Sequence, residues 1–278
     1  MGPLSGVNLP YFFDAYGHDL SPNVLSGMGA SNLDPMPIYR PLLAAHEMGF
    51  QAVRIWLCEG GEGILMNAGV IAGVHPVLVE SVAIIQECAN LCGLRLYWTL
   101  LDGHAWSRSN DTISREILSG GDQTERFAEQ VAAPLVRRLD PRLTLAIEIV
   151  NEPEALIPGN ETASDGCTEK WQAVGGAIRT IGDAVRSEHA ATIVTAGSRR
   201  AALPSLWRAS PGLDAIDIHA AADSPLPSRA EVTAALGIEA PQAASLPLIS
   251  GCSFARAEST PDGYGAVFFW RLEDLLQP

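Results

Sequence analysis

Basic residues are scarce in this chain, and their scarcity narrows the choice of partners. The 278 residues include 18 Lys and Arg against 32 Asp and Glu, which gives a formal net charge of −14. A surface with this excess of negative charge repels phosphate backbones and anionic lipid headgroups. We therefore expect neither nucleic acid nor a membrane as a partner.

Long apolar runs and low-complexity segments are also lacking. No run is long enough for a membrane helix, and the first ten residues carry no basic segment of the kind that opens a signal peptide. The sequence as it stands therefore predicts a cytoplasmic protein. Hydrophobic residues make up 47% of the chain and charged residues 18%, which is typical of a protein that folds around a large core.

Cysteines are few and odd in number. The five are Cys58, Cys88, Cys92, Cys167 and Cys252. An odd set scattered in apolar surroundings indicates reduced thiols rather than a disulfide framework. Cys88 and Cys92 are four residues apart on a predicted helix, which fits half of a metal site or, as we favour, two small buried residues on one helical face. We expect no metal and no cofactor.

Strand-like apolar runs alternate with helical patterns along the chain, which is typical of repeated βα units around a parallel sheet. The predicted strands are Leu4–Leu9, Ala52–Leu57, Leu94–Leu101, Leu143–Val150, Thr192–Ala196, Ala215–His219, Leu246–Ser250 and Gly265–Trp270. The predicted helices are Ile38–Met48, Val77–Cys92, Thr124–Arg138, Lys170–Arg186, Ala201–Arg208 and Arg229–Leu236. Eight such strands favour a closed (β/α)8 TIM barrel, and the lack of a linker predicts one domain over residues 1–278.

The connection between the seventh and eighth predicted strands is short. A parallel crossover needs about a dozen residues or more and is usually a helix, and residues 252–264 barely reach that length. We therefore predict that the seventh crossover helix is short or missing.

The predicted strand ends carry polar side chains, which is where barrel enzymes place their sites. One apolar strand ends at Asn151 and Glu152, an amide beside a carboxylate, and glycosidases hold a general acid in this way. Alternation along the second strand turns Arg54 and Trp56 into the barrel. Glu148 lies at the same depth and is the expected partner of the Arg54 guanidinium.

Other strand ends supply further candidates for a pocket. They are Asp102, His104 and Trp106 after the third strand, Asp217 and His219 on the sixth, and Trp270 on the eighth. An indole face packs well against a pyranose ring, so Trp270 is a candidate sugar platform, with a place in the barrel core as the alternative. The run Glu59–Gly63, in contrast, indicates a solvated loop, with Glu59 as a possible lining residue of the cleft.

The order of these landmarks resembles the clan A glycoside hydrolases, particularly the family five cellulases and mannanases. The segments that look like that family's strand ends are Gly6–Pro10, Tyr16–Asp19, Met48–Trp56, Asn151–Pro153 and Phe268–Trp270. The resemblance implies Glu152 as the acid/base, Asn151 as the amide on the sugar's 2-hydroxyl and Arg54 as support beneath the reacting centre. It also implies a pocket role for His219 and an oligosaccharide or glycoside as the ligand.

The seventh strand departs from that family. Cys252 stands where the family has its nucleophilic glutamate, and Ala221 stands where a tyrosine usually orients that glutamate. A thiolate is a competent nucleophile, and its oxidation to a sulfinate would recreate a carboxylate-like group. An inverting reaction with Asp217 or Asp102 as the base is a third route. The sequence leaves all three routes open.

Hydrolysis of a β-glycosidic bond, with Glu152 as general acid, is the leading functional hypothesis. The alternative is a catalytically silent barrel that binds a glycan or a partner protein. A further alternative is a transglycosylating or other non-hydrolytic enzyme that keeps only the acid. A carboxylate at position 252 would have decided between them, and the cysteine leaves the choice open.

Overall fold

The computed structural model describes residues 4–12, 17–27, 34–104, 112–157, 169–220, 225–238, 245–253 and 263–269, without the side chains of 112–114. Its strands are β1 (Leu4–Leu9), β2 (Ala52–Trp56), β3 (Ile64–Asn67), β4 (Val70–Val74), β5 (Arg95–Asp102), β6 (Thr144–Asn151), β7 (Val194–Arg199), β8 (Ile216–His219), β9 (Leu248–Ser253) and β10 (Tyr264–Phe269). Eight of them close into a parallel barrel in the order β1-β2-β5-β6-β7-β8-β9-β10. The predicted barrel is confirmed.

Helices follow most of the barrel strands. They are α1 (Met36–Glu47), α2 (Pro76–Leu91), α3 (Thr112–Ile117), α4 (Asp122–Phe127), α5 (Ala133–Val136), α6 (Glu169–Glu188), α7 (Leu203–Ala209) and α8 (Arg229–Leu236). A π-helical turn at Ala128–Ala132 joins α4 to α5, and 3-10 turns lie at Glu59–Gly61 and Pro153–Leu156. Across the described ranges, no helix has the length and apolar character needed to cross a bilayer.

Local sequence sets the ends of these helices. Ser228 accepts a hydrogen bond from the Glu231 N–H while Glu231 reaches back to Ser228, which is a capping box at the start of α8. Gly237 ends the same helix with a φ of 64°, a left-handed conformation that costs glycine little. Cys88 and Cys92, at the end of α2, are both buried, as we favoured from the sequence.

Apolar side chains form separate cores inside and outside the barrel. Val53 and Ile55 of β2 pack outward with the helices, while Arg54 between them points inward, so the expected alternation is confirmed. The floor of the barrel holds Tyr97 and Phe268, whose ring centroids are 5.2 Å apart, among alanines that leave room for them. This apolar floor leaves the polar residues above it facing the carboxyl ends of the strands.

A β-hairpin that the sequence analysis did not predict follows β2. Its strands β3 and β4 pair antiparallel, apart from the barrel. Ala68 and Gly69 form the turn with φ angles of 48° and 81°, as a tight two-residue hairpin requires. Gln123 holds the hairpin to α4, because its side chain accepts from Ile71 N (3.1 Å) and donates to Gly69 O (3.2 Å).

Some of our predictions concern residues outside the described ranges. The shortened seventh crossover lies mostly at residues 254–262, so its missing helix stays a prediction. Trp106, Trp270 and Cys167 also fall outside the described part of the chain.

Candidate functional site

Glu152 lies at the point where β6 leaves the barrel. Its backbone is left-handed, with φ 46° and ψ 61°, a conformation that non-glycine residues adopt rarely and mostly where the surroundings enforce it. Its N–H donates to Gly197 O of β7 at 2.9 Å, and Pro153 then begins a 3-10 turn. The strand end and the turn together fix the direction of the Glu152 side chain.

Three cationic or potentially cationic side chains surround the Glu152 carboxylate. His104 Nε2 is 2.7 Å and Arg199 Nε is 2.8 Å from Oε2, while His219 Nδ1 is 3.1 Å from Oε1. Burial raises the pKa of Glu152, but the hydrogen bonds from His104 and His219 and the charge of Arg199 outweigh it and hold this pKa well below its usual range. Glu152 is therefore an anion at neutral pH.

The same contacts favour the charged forms of the two histidines. The hydrogen bond to Glu152 raises the pKa of His104. Burial lowers the pKa of His219, but the hydrogen bond to Glu152 and the charge of Asp217 raise it above its usual value overall. The site is thus a network of ion pairs centred on one carboxylate.

Arg54 supports this network from below. The guanidinium is fully buried and donates to Glu148 Oε2 through Nε (3.1 Å) and Nη2 (2.5 Å), which confirms the pairing expected from their equal depth. Nη1 reaches Asn8 Oδ1 at 3.1 Å, and Nη2 reaches Asn151 Oδ1 at 2.8 Å. The Trp56 ring lies against the same group, 4.2 Å from Cζ to the ring centroid, in a cation–π contact.

Asn151 connects this buried layer to the upper network. Its Nδ2 donates to Asp102 Oδ1 at 2.8 Å, and the same oxygen accepts the His104 N–H at 3.1 Å. One continuous set of hydrogen bonds therefore runs from Arg54 through Asn151 and Asp102 to His104. It orients the amide that the family resemblance places on a sugar hydroxyl.

Cys252 lies on β9, in register with His219 of β8. Its side chain is buried, and burial raises the pKa of the thiol to about 12. Only the thiolate is an effective nucleophile, so at neutral pH this thiol is inert.

Asp217, a candidate base for an inverting reaction, is held by internal donors. Its Oδ1 accepts Gly251 N at 2.7 Å and its Oδ2 accepts the Tyr97 hydroxyl. Burial raises the pKa of Asp217 and is the largest influence on it. Gly251 lies so close that an added Cβ would collide with Asp217 and His219, as one at Gly197 would with His219 and Glu148. Glycine at both positions lets the backbone approach these side chains.

Arg199 is a functional candidate that the sequence analysis missed. The fifth strand was predicted to end at Ala196, but β7 continues to Arg199 and so brings the guanidinium to the carboxyl end of the barrel. Glu154 is buried and holds the strand end in place, accepting from Ser198 Oγ (3.1 Å) and Arg199 N (2.8 Å). Pairing with β8 is what carries the strand past Gly197 and Ser198 to Arg199, so no local pattern pointed to this residue.

The prediction that the run Glu59–Gly63 forms a solvated loop was wrong. Glu59 and Glu62 are both fully buried rather than solvated. The loop that contains them folds against the loop after β1, a contact between segments about forty residues apart that no local pattern reveals.

A cavity of about 390 Å³ lies beyond the turn that follows Glu152. Its lining residues are Arg115, Leu118, Ser119, Ala155, Leu156, Ile157, Lys170, Ala173 and Val174. None of the predicted site residues that the structure describes lines this cavity. Lys170 is the one lysine of the sequence, and its side chain is exposed.

The closed parallel barrel, with its polar side chains at the carboxyl ends of the strands, defines a (β/α)8 protein. No family profile and no curated protein matches the sequence. Solved structures do match it, at identities that show the fold alone.

One is β-mannanase from the blue mussel Mytilus edulis, with 17% identity and a TM-score of 0.73 over 97% of this chain and 87% of that one. Another is β-1,4-D-mannanase from Cryptopygus antarcticus, with 16% identity and a TM-score of 0.72 over 98% of this chain and 85% of that one. A third is GH5_18 from Streptomyces cattleya in complex with GlcNAc, with 17% identity and a TM-score of 0.66 over 97% of this chain and 70% of that one.

Proposed function

We propose that this chain is a glycoside hydrolase-like protein that binds a β-linked saccharide at the carboxyl end of its barrel, with Glu152 as a fixed anion in the site. The proposal rests on the Glu152 carboxylate, which His104, His219 and Arg199 together keep ionised. An ionised carboxylate accepts hydrogen bonds from sugar hydroxyls strongly. It has no proton to give to a leaving group, which is what a general acid must do.

The exposed parts of the network are suited to polar ligands. The side chains of His104 and Arg199 are 35% and 52% exposed, whereas the carboxylate they hold is only 12% exposed. Asn151 has two amide hydrogens and gives one to Asp102, and no acceptor for the other lies in the described ranges, so it could bind a sugar hydroxyl. Because two of the matching structures are β-mannanases, a β-1,4-linked mannoside is the ligand to test first.

A retaining glycosidase has two catalytic groups, an acid and a nucleophile. The residue at the nucleophile position of this chain favours binding rather than cleavage. A retaining glycosidase needs a second carboxylate about 5 Å from the acid, and β9 supplies the protonated thiol of Cys252 instead. A second carboxylate would also raise the pKa of the acid by like-charge repulsion. Asp102 and Asp217 are both buried and each already accepts two internal hydrogen bonds, which disfavours either as the base that activates water.

Hydrolysis with Glu152 as general acid is the second candidate, and the exposure of Arg199 favours it. A ligand that pairs with Arg199 would draw the guanidinium away from Glu152. Burial, which is the largest influence on the pKa of Glu152 and raises it, would then be opposed only by the contacts with His104 and His219, so this pKa would rise. Binding of substrate would in this way move Glu152 towards the protonated form that a general acid requires.

Calorimetric titration with β-1,4-mannobiose and mannotriose, together with release of nitrophenol from an aryl β-mannoside, separates these functions. The variants are Glu152→Gln and, as a matched control, Glu87→Gln, which is exposed near the carboxyl end of α2 and therefore at the opposite end of the barrel. We expect wild type and Glu87→Gln to bind equally. Loss of a charge-assisted hydrogen bond, about 1.5–3 kcal/mol, should weaken binding by Glu152→Gln about 10- to 100-fold.

Nitrophenol release by wild type and Glu87→Gln that is lost in Glu152→Gln would support hydrolysis over simple binding. Binding without release by any variant would support the silent barrel. If neither heat nor nitrophenol is detected with the β-mannosides, the proposed ligand class is wrong.

A further inference from the structure

Three acidic side chains meet away from the Glu152 network, in the loops that follow β1 and β2. Asp19, Glu59 and Glu62 each place one carboxylate oxygen within 4.8 Å of the others. Asp19 is 2% exposed and both glutamates are 0% exposed. Such a group is rare inside a protein, because each buried charge must be compensated.

Within the described ranges, the loop backbone donates to one oxygen of each of these carboxylates. The donors are Phe12 N to Asp19 Oδ2 (2.6 Å), Gly17 N to Glu59 Oε1 (3.2 Å), and Leu20 N (2.5 Å) and Ser21 N to Glu62 Oε1. The second oxygens, Asp19 Oδ1, Glu59 Oε2 and Glu62 Oε2, have no hydrogen-bond donor in the described part of the structure. The buried hydroxyl of Ser21, beside Glu62, is likewise unpartnered there. The backbone therefore fixes three carboxylates and leaves one oxygen of each unsatisfied.

Compensation by a protein cation is absent within the described ranges, where no Lys, Arg or His side chain forms an ion pair with these three acids. Without a cation, burial raises the pKa of Asp19 to about 7 and that of Glu62 to about 11, and it raises the pKa of Glu59 well above its usual value. Such a cluster therefore takes up protons or binds a metal ion.

We propose that Asp19, Glu59 and Glu62 bind a Ca²⁺ ion that ties the loop after β1 to the loop after β2. Ca²⁺ takes 6–8 oxygen ligands at about 2.3–2.6 Å, so two ligands on opposite sides of one ion are up to about 5 Å apart. One oxygen of each residue lies within 4.8 Å of the others, a separation that one Ca²⁺ ion can bridge. Three carboxylates that bind through both oxygens supply six ligands, an irregular arrangement that Ca²⁺ accepts, whereas Mg²⁺ requires a near-ideal octahedron at about 2.0–2.1 Å.

The place of the cluster suggests what the ion does. Asn23 already joins the two loops, donating to Gly17 O (2.8 Å) and Gly60 O (2.9 Å), and the hairpin of β3 and β4 continues from the second loop. The charge of Asp102, a residue of the Glu152 network, is near enough to raise the pKa of Glu59. Bound Ca²⁺ would therefore stabilise one wall of the barrel mouth, next to the Glu152 network.

The test uses the full chain, stripped with EDTA and then transferred to chelator-free buffer. Calcium content is measured by mass spectrometry after addition of CaCl2 and dialysis, and Tm is measured by calorimetry with and without saturating CaCl2 or MgCl2. Wild type is compared with Glu62→Gln and with the control Glu87→Gln. We expect one Ca²⁺ per chain and a rise in Tm of about 5–10 °C for wild type and for the control, and a loss of both in Glu62→Gln.

The proposal is overturned if stripped wild type takes up no calcium and its Tm does not change. It is also overturned if Glu62→Gln responds to Ca²⁺ as wild type does, since the ion then binds elsewhere. Stability of Glu62→Gln above that of wild type, with no Ca²⁺ effect on either, would show that protons satisfy the cluster. Should Glu62→Gln fail to fold, Asp19→Asn replaces it, and the wild-type calcium content decides without any variant.

Discussion

Replacement of Glu148 by glutamine tests the buried layer that supports the site. Glu148 is fully buried, and its Oε2 accepts from Arg54 and from Thr99 Oγ1 (2.6 Å), while its Oε1 accepts Gly197 N (3.0 Å). Glutamine has the same size but no charge. Both oxygens of Glu148 accept hydrogen bonds, so the amide nitrogen that replaces one of them would face a donor instead of an acceptor. Arg54 would then remain in the barrel as an uncompensated charge.

Breaking a buried ion pair at one partner costs about 3–5 kcal/mol. For a chain of this length, 1 kcal/mol lowers Tm by about 2–4 °C, so Glu148→Gln should melt about 6–20 °C below wild type. Differential scanning calorimetry, with urea denaturation as a second probe, measures the difference. The matched control is Glu188→Gln, which removes the partner of Arg137, a residue whose side chain is 64% exposed. We expect no resolvable change there, because exposed pairs contribute little.

Equal melting temperatures for the two variants would refute this reasoning. That result would mean that Asn8, Asn151 and the carbonyl of Gly251 stabilise the Arg54 charge without Glu148.

Two further predictions concern the upper network. The Tm difference between wild type and Glu152→Gln should be largest between pH 4.5 and pH 6.5, the ordinary pKa values of glutamate and histidine. Because the pKa of Glu152 is lowered by folding, its contribution to stability is present above pH 4.5 and is lost as the pH falls. Because the pKa of His104 is raised by folding, its contribution is fully present below pH 6.5 and is lost as the pH rises. Thermal melts across this range check the prediction, and a difference independent of pH would contradict it. Cys252 should be alkylated by iodoacetamide far more slowly in the folded protein than in the denatured chain, because burial raises its thiol pKa to about 12. Peptide mapping by mass spectrometry measures this, and equal labelling in both states would show that the thiol is accessible and reactive.

Periodic features of the sequence were sufficient to predict the barrel and its interior. Alternation on β2 and β6 places Arg54 and Glu148 at one depth, and in the structure they form the expected pair. The short strand-to-strand distances of a closed barrel then bring side chains from separate strand ends together, as in the contacts of Glu152 with His104 and His219. The alternation of regular strands made the Arg54–Glu148 pair predictable, whereas the Glu152–His contacts were not predicted.

Two of the remaining features depend on contacts that no local pattern encodes. Arg199 follows Gly197 and Ser198, and for this reason the predicted strand ended at Ala196. In the structure, pairing with β8 extends the strand to Arg199. Glu59 and Glu62 stand among glycines, a composition typical of exposed loops, yet the loop after β1 covers them. The hairpin turn, in contrast, did carry a local signal. Asn67, Ala68 and Gly69 form a short stretch typical of turns, and it separates two short apolar runs.

Lys170 allows the protein to be labelled chemically at one side chain. Since it is the one lysine of the sequence, an amine-reactive ester would modify this side chain and, besides it, only a free α-amino group. A dye attached there would lie beside the 390 Å³ cavity, on the side of the barrel that carries the turn after Glu152. With any free α-amino group blocked, immobilisation through Lys170 would present every molecule to solution in one orientation.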